Sequence, residues 1–467
     1  MALRVAGRTR QPGATPGSGF PQAARLAGRG GSAGFILGVC VARRLYTLLL
    51  WLALPVVMIR LGLRTVRSPG YRRRIGERFG RSTPDERRCD LWVHAVSVGE
   101  VNAATPLVQR LLQENNNLDI VITTMTPTGA RQVADTFGSE VRHRFAPYDY
   151  PFAVRRFINQ FSPRLLILME TEIWPNMIRS CQEKGIPVVM ANVRLSARSA
   201  RGYRFVLPLV REGLNNVSLF ATQSETDRKN LLSLGVDASR THRTGSMKFE
   251  IRMPASVNEV AQAVRRDWSP NRPVIVAGST HDGEESLLLR AFQTLLQDFP
   301  DLLLVIAPRH PERFDTAVRL ASRAGFVVNR RTTQSGALDC AVQIQIADTM
   351  GELPVLYGAA DIAVVGGSLI PIRGIGGHNI LEPCAVGVPV IFGPNMGNFL
   401  EISEITVAAG AGFQVDGEAA LLRQLHRLLD DAHLRSAVGE HGRKMVDQNT
   451  GATQKTCELI MPLLTRR

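Results

Sequence analysis

Two short motifs place a carboxylate at the start of a helix directly after an apolar run or a glycine-rich turn. Ser97-Val98-Gly99-Glu100 follows the run 91–95 and opens the helix expected from Val101. By spacing alone it is a capping box, with Ser97 as N-cap and Glu100 reaching back from the third helical position. At the carboxyl end of a first strand the same carboxylate would face a cleft, where it could take a proton from an acceptor hydroxyl. Spacing does not choose between the two. The second motif, Gly376-Gly377-His378-Asn379-Ile380-Leu381-Glu382-Pro383, comes after the turn Gly366-Gly367-Ser368. Glycines ahead of a helix N-terminus let backbone N–H groups approach a phosphate, whose charge the helix dipole favours. Glu382, one turn in, could accept hydrogen bonds from ribose hydroxyls. The plainer alternative is again a cap, Asn379 with Glu382, but the glycines are denser than a cap needs. A dinucleotide fingerprint fails, because Gly374-x-Gly376-x-x is followed by Asn379 and the segment falls late in its domain. A nucleotide-sugar site fits better.

Cationic candidates are weaker taken singly. Pro308-Arg309-His310-Pro311-Glu312-Arg313 follows the run 302–307, and a guanidinium at a strand's carboxyl end can clamp a phosphate with two hydrogen bonds. Most such arginines are simply solvated. Lys248, in Gly245-Ser246-Met247-Lys248-Phe249, carries less still without context. Arg194, Arg198 and Arg201 fall within eight residues and either receive an anionic substrate or line a solvated helical face. His94, His281 and His310 read as structural or solvated, since no nucleophile is spaced with them. The sequence has no HExxH, GxxxxGK[ST] or DxD, so zincin and P-loop chemistry and a carboxylate-held metal lack support.

The elements that must position these residues read as two successive α/β series. Short Val/Ile/Leu runs at 91–95, 120–124, 165–169, 187–191 and 219–222 alternate with amphipathic stretches. After the break Trp268-Ser269-Pro270-Asn271-Arg272-Pro273 a second set follows at 274–277, 302–307, 326–328, 342–346, 362–365 and 388–392. Such runs separated by helices mean parallel sheets covered on both faces. The expected fold class is therefore α/β, with two doubly wound Rossmann-like domains at 77–270 and 271–467 facing a cleft lined by strand carboxyl ends.

A chain of 467 residues is long for one domain, and its 45% hydrophobic and 21% charged residues suit a globular protein. The net charge of +15 suggests nucleic acid until it is located. Residues 1–76 hold thirteen arginines and no lysine, aspartate or glutamate, supplying +13 and leaving +2 for the rest. A nearly neutral body is a poor nucleic-acid binder. Residues 1–40, rich in Gly, Ala, Pro and Arg, read as a disordered extension; a transit peptide would share this composition. The region 41–76 reads as an apolar anchor, 45–59 (LYTLLLWLALPVVMI), fringed by Arg43, Arg44, Arg60, Arg64, Arg67 and Arg72 to Arg74. It is marginal for a full span, with Pro55 expected to kink it, so a short signal anchor and an interfacial helix both remain open. Association with the cytoplasmic face of a membrane is expected. Six scattered cysteines suit a reducing compartment. The sequence sets no oligomeric state.

Taken in order, the segments resemble the transferases that add 3-deoxy-D-manno-octulosonic acid (Kdo) to a lipid A precursor. The resemblance runs from about residue 45 to the C-terminus. It is carried by Tyr71-Arg72-Arg73-Arg74-Ile75-Gly76-Glu77-Arg78-Phe79-Gly80, His94-Ala95-Val96-Ser97-Val98-Gly99-Glu100 and Thr123-Thr124-Met125-Thr126-Pro127-Thr128-Gly129. Met169-Glu170-Thr171-Glu172-Ile173-Trp174-Pro175-Asn176 and the segment 191–199 continue it, then Pro308 to Phe314, Met350-Gly351-Glu352-Leu353 and the Gly376 motif. The resemblance implies a GT-B fold and metal-independent, inverting transfer from CMP-Kdo to a hydroxyl of lipid IVA at the inner membrane, with no cofactor. By the same resemblance Glu100 is the general base, and Glu170 and Lys248 stabilise the transition state. Pro308, Arg309, Met350, Gly351, Glu352, Asn379, Ile380, Leu381 and Glu382 contact the CMP. Two features depart from the family pattern: residues 1–40, and the longer connection Pro371-Ile372-Arg373-Gly374-Ile375, which brings an extra arginine near the nucleotide. Outside the family, two readings stay open: a GT-B transferase using UDP-GlcNAc, such as a lipid disaccharide synthase, and a catalytically silent nucleotide-binding scaffold.

Overall fold

A computed structural model describes residues 30–67, 70, 74–81, 88–115, 117–251, 253 and 256–465. The apolar runs form strands buried on both faces, as parallel sheets require. In the first domain these are β1 (Leu91–His94), β2 (Ile120–Thr124), β3 (Arg142–Phe145), β4 (Leu165–Met169), β5 (Val188–Val193), β6 (Leu219–Thr222) and β7 (Thr241–Arg243). Their spatial order is β3-β2-β1-β4-β5-β6-β7. The second domain carries β8 (Val274–Thr280), β9 (Leu303–Pro308), β10 (Val328–Arg330), β11 (Ile344–Ile346), β12 (Ile362–Val365), β13 (Val390–Phe392) and β14 (Gly412–Gln414). Here the order is β10-β11-β9-β8-β12-β13-β14. Every neighbouring pair is parallel. Register fixes the alternation: Val93 lies opposite Ile122 on one side and Ile167 on the other, and all three point into one core. Trp92, Val121 and Leu166 enter the core on the opposite face.

The strands without a matching apolar run, β3, β7 and β14, all lie at sheet edges. An edge strand is covered less, so Arg142-His143-Arg144-Phe145 can pair without an apolar run. The expected domain limits need correction at both ends. Ala261, Val264 and Trp268 lie before position 271, yet they pack in the second domain's core with Val274 and Val276. The last helix, Ala452–Thr465, returns to the first domain, burying Cys457, Ile460 and Leu464 beside Leu91 and Leu107.

A single helix, Gly30–Arg67, precedes the first domain and runs on through Pro55. It begins inside the stretch 1–40 expected to be disordered; residues 1–29 lie outside the described residues, as do Arg72 and Arg73 of the basic flank. Residues Val41–Leu63 are long and apolar enough to cross a membrane by length and composition. One side of this helix is tied to the first domain. Arg43 Nε meets Glu212 at 3.1 Å, Tyr46 Oη donates to Asp149 at 3.0 Å, and Trp51 packs on Tyr150. Leu45, Leu48, Leu49, Leu52, Val56 and Ile59 remain exposed.

Candidate active site

Because all strands in each sheet are parallel, their carboxyl ends share one edge, and the loops leaving that edge hold the expected site residues. Glu100 lies in the first turn of the helix Val98–Glu114, directly after β1. Ser97 is the N-cap, as spacing indicates, and its Oγ accepts from Glu100 N at 3.5 Å. The carboxylate reaches back one residue further than a capping box does. It accepts from Val96 N at 2.8 Å and from Ser97 Oγ at 3.1 Å. Glu100 is only 8% exposed. Burial pushes its pKa up to about 8, with the charges of Glu172 and Glu170 adding to the rise and the Val96 and Ser97 hydrogen bonds opposing it. A carboxylate with so raised a proton affinity is poised to exchange a proton near neutral pH.

Glu170 leaves β4 with φ 56°, a left-handed conformation rare for glutamate. Its N–H still bonds Ala191 O at 2.8 Å, while its carboxylate lies 3.7 Å from Lys248 Nζ. Two residues on, Glu172 accepts from Trp174 Nε1 at 2.7 Å, and burial raises its pKa as well. Trp174 in turn meets the His94 ring edge-on at 5.0 Å. His94 itself is structural, as expected: buried and bonded to Thr123, it has a pKa lowered to about 3 by desolvation and is neutral.

Lys248 is placed by its neighbours. Met247 is buried in the first domain's core and Phe249 in the second's, so Lys248 stands at the crossing between domains. The turn Met247–Phe249 is held by Asn192, whose Oδ1 accepts from Met247 N at 3.0 Å. Asn192 is also left-handed, φ 57°, a conformation asparagine tolerates better than most. From the second domain the Phe399 ring approaches Lys248 at 5.9 Å, and Glu401 pairs with Arg194 at 3.4 Å. Arg198 and Arg201 stay exposed on the helix Ala197–Arg204.

In the second domain Pro308 ends β9 and is buried, while Arg309, next in the chain, is exposed. Among the described residues its guanidinium has no hydrogen-bond or ion-pair partner. Burial pushes His378 down to about 4 and raises Glu382; the charge of Arg309 adds to the first shift and opposes the second. Asn379 makes the contacts of the plainer, capping alternative: Oδ1 accepts from Leu381 N at 3.1 Å and Nδ2 donates to Glu382 Oε1 at 3.1 Å. Ile380 and Leu381 point into the core. Only their backbone can meet a ligand. Met350 is exposed and Gly351 is left-handed, while Glu352 is held by Arg331 at 2.6 Å, which keeps its pKa low. The connection 371–375 leaves the glycine motif anchored, because Gly377 N bonds Gly367 O at 3.0 Å and Asn398 N bonds Gly376 O at 2.8 Å.

Three features had no signal in local spacing. Glu284, fully buried, accepts four backbone N–H groups, from His281, Gly367, Ser368 and Leu369, at 2.8–3.1 Å, and so shapes the glycine turn. A side chain at Gly366 would bring its Cβ to 2.5 Å from Ser279 O and 2.9 Å from Glu284. His281 and His378 stack, with Nε2 atoms 2.7 Å apart, although they are 97 positions apart in the chain. Asn192, the third, lies within a segment quoted for its family resemblance, but spacing shows neither its backbone nor its bond to Met247.

Two parallel seven-stranded sheets, each with site loops at its strand carboxyl ends, define the GT-B fold. Across 82% of this chain and the whole of the other, the fold is similar to that of UDP-GlcNAc 2-epimerase from Neisseria meningitidis, with TM-score 0.53 and 14% identity. Residues 73–251 match the family described as 3-deoxy-D-manno-octulosonic-acid transferase (kdotransferase), and residues 280–445 match glycosyl transferases group 1. The 3-deoxy-D-manno-octulosonic acid transferase of Haemophilus influenzae is 40% identical over 91% of this chain and 99% of its own. That of Bordetella pertussis is 34% identical over 90% and 99%. The chain belongs to the Kdo transferase family, glycosyltransferases of lipopolysaccharide assembly.

Proposed function

We propose that the protein transfers Kdo from CMP-Kdo to a hydroxyl of lipid IVA by a single inverting displacement, with Glu100 as general base. The reading rests chiefly on one observation: a buried carboxylate of raised proton affinity beside the Glu170–Lys248 pair. The acceptor oxygen attacks the donor's anomeric carbon as Glu100 takes its proton. The bond from that carbon to the CMP phosphate breaks, and its electron pair leaves with the phosphate. The transition state carries positive charge on the sugar, which the Glu170 carboxylate stabilises. Lys248 and Arg309 meet the charge developing on the phosphate, the role a metal has in other sugar transferases. Pro308, Arg309, Met350 to Glu352 and Asn379 to Glu382 form the cradle for CMP, with Ile380 and Leu381 contributing backbone only. The exposed Arg198 and Arg201 suit the acceptor's phosphates.

The helix Gly30–Arg67 holds the enzyme to the cytoplasmic face of the inner membrane by lying in the interface. Its residues 43–51 are bound along the first domain. Beyond them too few residues remain for a span of about 20. The test is transfer itself: purified protein, CMP-Kdo, lipid IVA in detergent and EDTA, with products read by mass. A gain of one or more Kdo units is expected. Inhibition by UDP but not CMP, with no Kdo gain, would refute the donor assignment.

A further inference from the structure

We infer that the N-terminal helix positions the acidic loop of the active site as well as holding the protein to a membrane, and that Asp149 is the positioning residue joining them. The inference rests on the reading of Glu100 as base and extends it. Asp149 lies between the two elements, 5% exposed. Its Oδ2 accepts from Tyr46 Oη at 3.0 Å, on the N-terminal helix, and from Asn176 N at 3.0 Å; its Oδ1 accepts from Met177 N at 2.7 Å. Asn176 and Met177 are in the first turn of the helix Pro175–Glu183, whose own N-cap residue, Trp174, offers no side-chain cap. Asp149 therefore supplies the cap from another part of the chain.

A second strut runs in parallel. Thr47 Oγ1 donates to Asn176 Oδ1 at 3.1 Å, and Asn176 Nδ2 donates to Asp149 O at 2.7 Å. The start of the helix Pro175–Glu183 is thus fastened to two consecutive residues of the N-terminal helix. Immediately ahead of it are Trp174, bonded to Glu172, and Glu170, paired with Lys248. The charges of Glu172 and Glu170 in this loop act on Glu100. Undocking the N-terminal helix would leave a buried acceptor at Asp149 short of a donor and loosen the point from which the loop 170–174 is suspended. The donor cradle, in the other domain, shares none of these bonds.

The test uses the full chain on anionic phospholipid vesicles, comparing wild type with Tyr46→Phe and Thr47→Val, each of which removes one hydroxyl and keeps the helix apolar. Vesicle binding and KM for CMP-Kdo should stay within twofold of wild type. kcat should fall at least threefold in each variant and further in the double variant. A kcat unchanged in both single variants and the double would overturn the inference. So would a kcat that falls only in proportion to vesicle binding, which would make the helix an anchor alone. Glu100→Gln is assayed alongside. If it retains turnover, the base assignment fails while the kcat comparison still decides whether the helix positions the loop.

Discussion

Replacing Glu100 with glutamine should move stability and activity in opposite directions. In the folded protein the Glu100 carboxyl holds its proton up to about pH 8, against an ordinary value of 4.5. Between those values the native state keeps a proton that the unfolded chain has released, so stability falls as pH rises from about 4.5 to about 8 and is level above. At about 1.4 kcal/mol per pKa unit the whole penalty is at most about 5 kcal/mol, of which about 3 kcal/mol accrues between pH 5.5 and 8.5. Glutamine carries no such proton, and its side-chain oxygen can still accept from Val96 N. The variant should therefore gain up to about 3 kcal/mol relative to wild type between these pH values. Urea unfolding of both proteins at the two pH values measures this difference of differences. Activity should change the other way. At pH 7 about a tenth of Glu100 is ionised if its pKa is about 8, so wild-type kcat/KM should rise with pH up to about 8. The variant should lose about 10²–10⁴ in kcat while still binding CMP. Parallel pH-stability curves for the two proteins would refute the raised proton affinity, and near wild-type turnover would refute the base.

Arg309→Ala removes an exposed guanidinium that has no hydrogen-bond or ion-pair partner among the described residues, so stability should hold within about 0.5 kcal/mol. CMP affinity should drop about tenfold or more in calorimetric titration, and unchanged affinity would remove Arg309 from the cradle. Glu284→Gln leaves one oxygen for N–H groups now shared between two, at a cost of about 2–6 kcal/mol by chemical denaturation. Full stability in that variant would contradict the clamp. Asn192→Ala loses the bond to Met247 N and strains the left-handed backbone, whereas Asn192→Gly loses only the bond. Both should lower kcat, and the glycine variant should recover about 1 kcal/mol of stability relative to alanine. Equal stabilities would show that the backbone there is unstrained.

Local patterning made much of this protein legible. Apolar runs at 120–124, 165–169, 219–222 and 362–365 are strands with those same limits, because a strand buried on both faces must be continuously apolar. The polar edge strands escape that rule. Ser97 and Glu100 were visible as a pair three residues apart, since a helix start imposes that spacing. What the carboxylate does beyond capping was not, because its proton affinity depends on burial and on Glu170 and Glu172, which arrive from the loop after β4. Glu170 and Lys248, 78 positions apart, are brought within 3.7 Å by two left-handed backbone turns that no pattern of residue types displays.

The sequence by itself determined two parallel α/β domains, the apolar N-terminal helix and the chemical types at the cleft, since these follow from short-range periodicity and composition. Only the tertiary structure decided that the final helix, Ala452–Thr465, completes the first core, that His281 meets His378, and that Tyr46 on the N-terminal helix bonds Asp149. Each of these joins residues about a hundred or more positions apart. Their partners are chosen by which faces remain to be buried once the sheets have formed, a choice that local spacing does not contain.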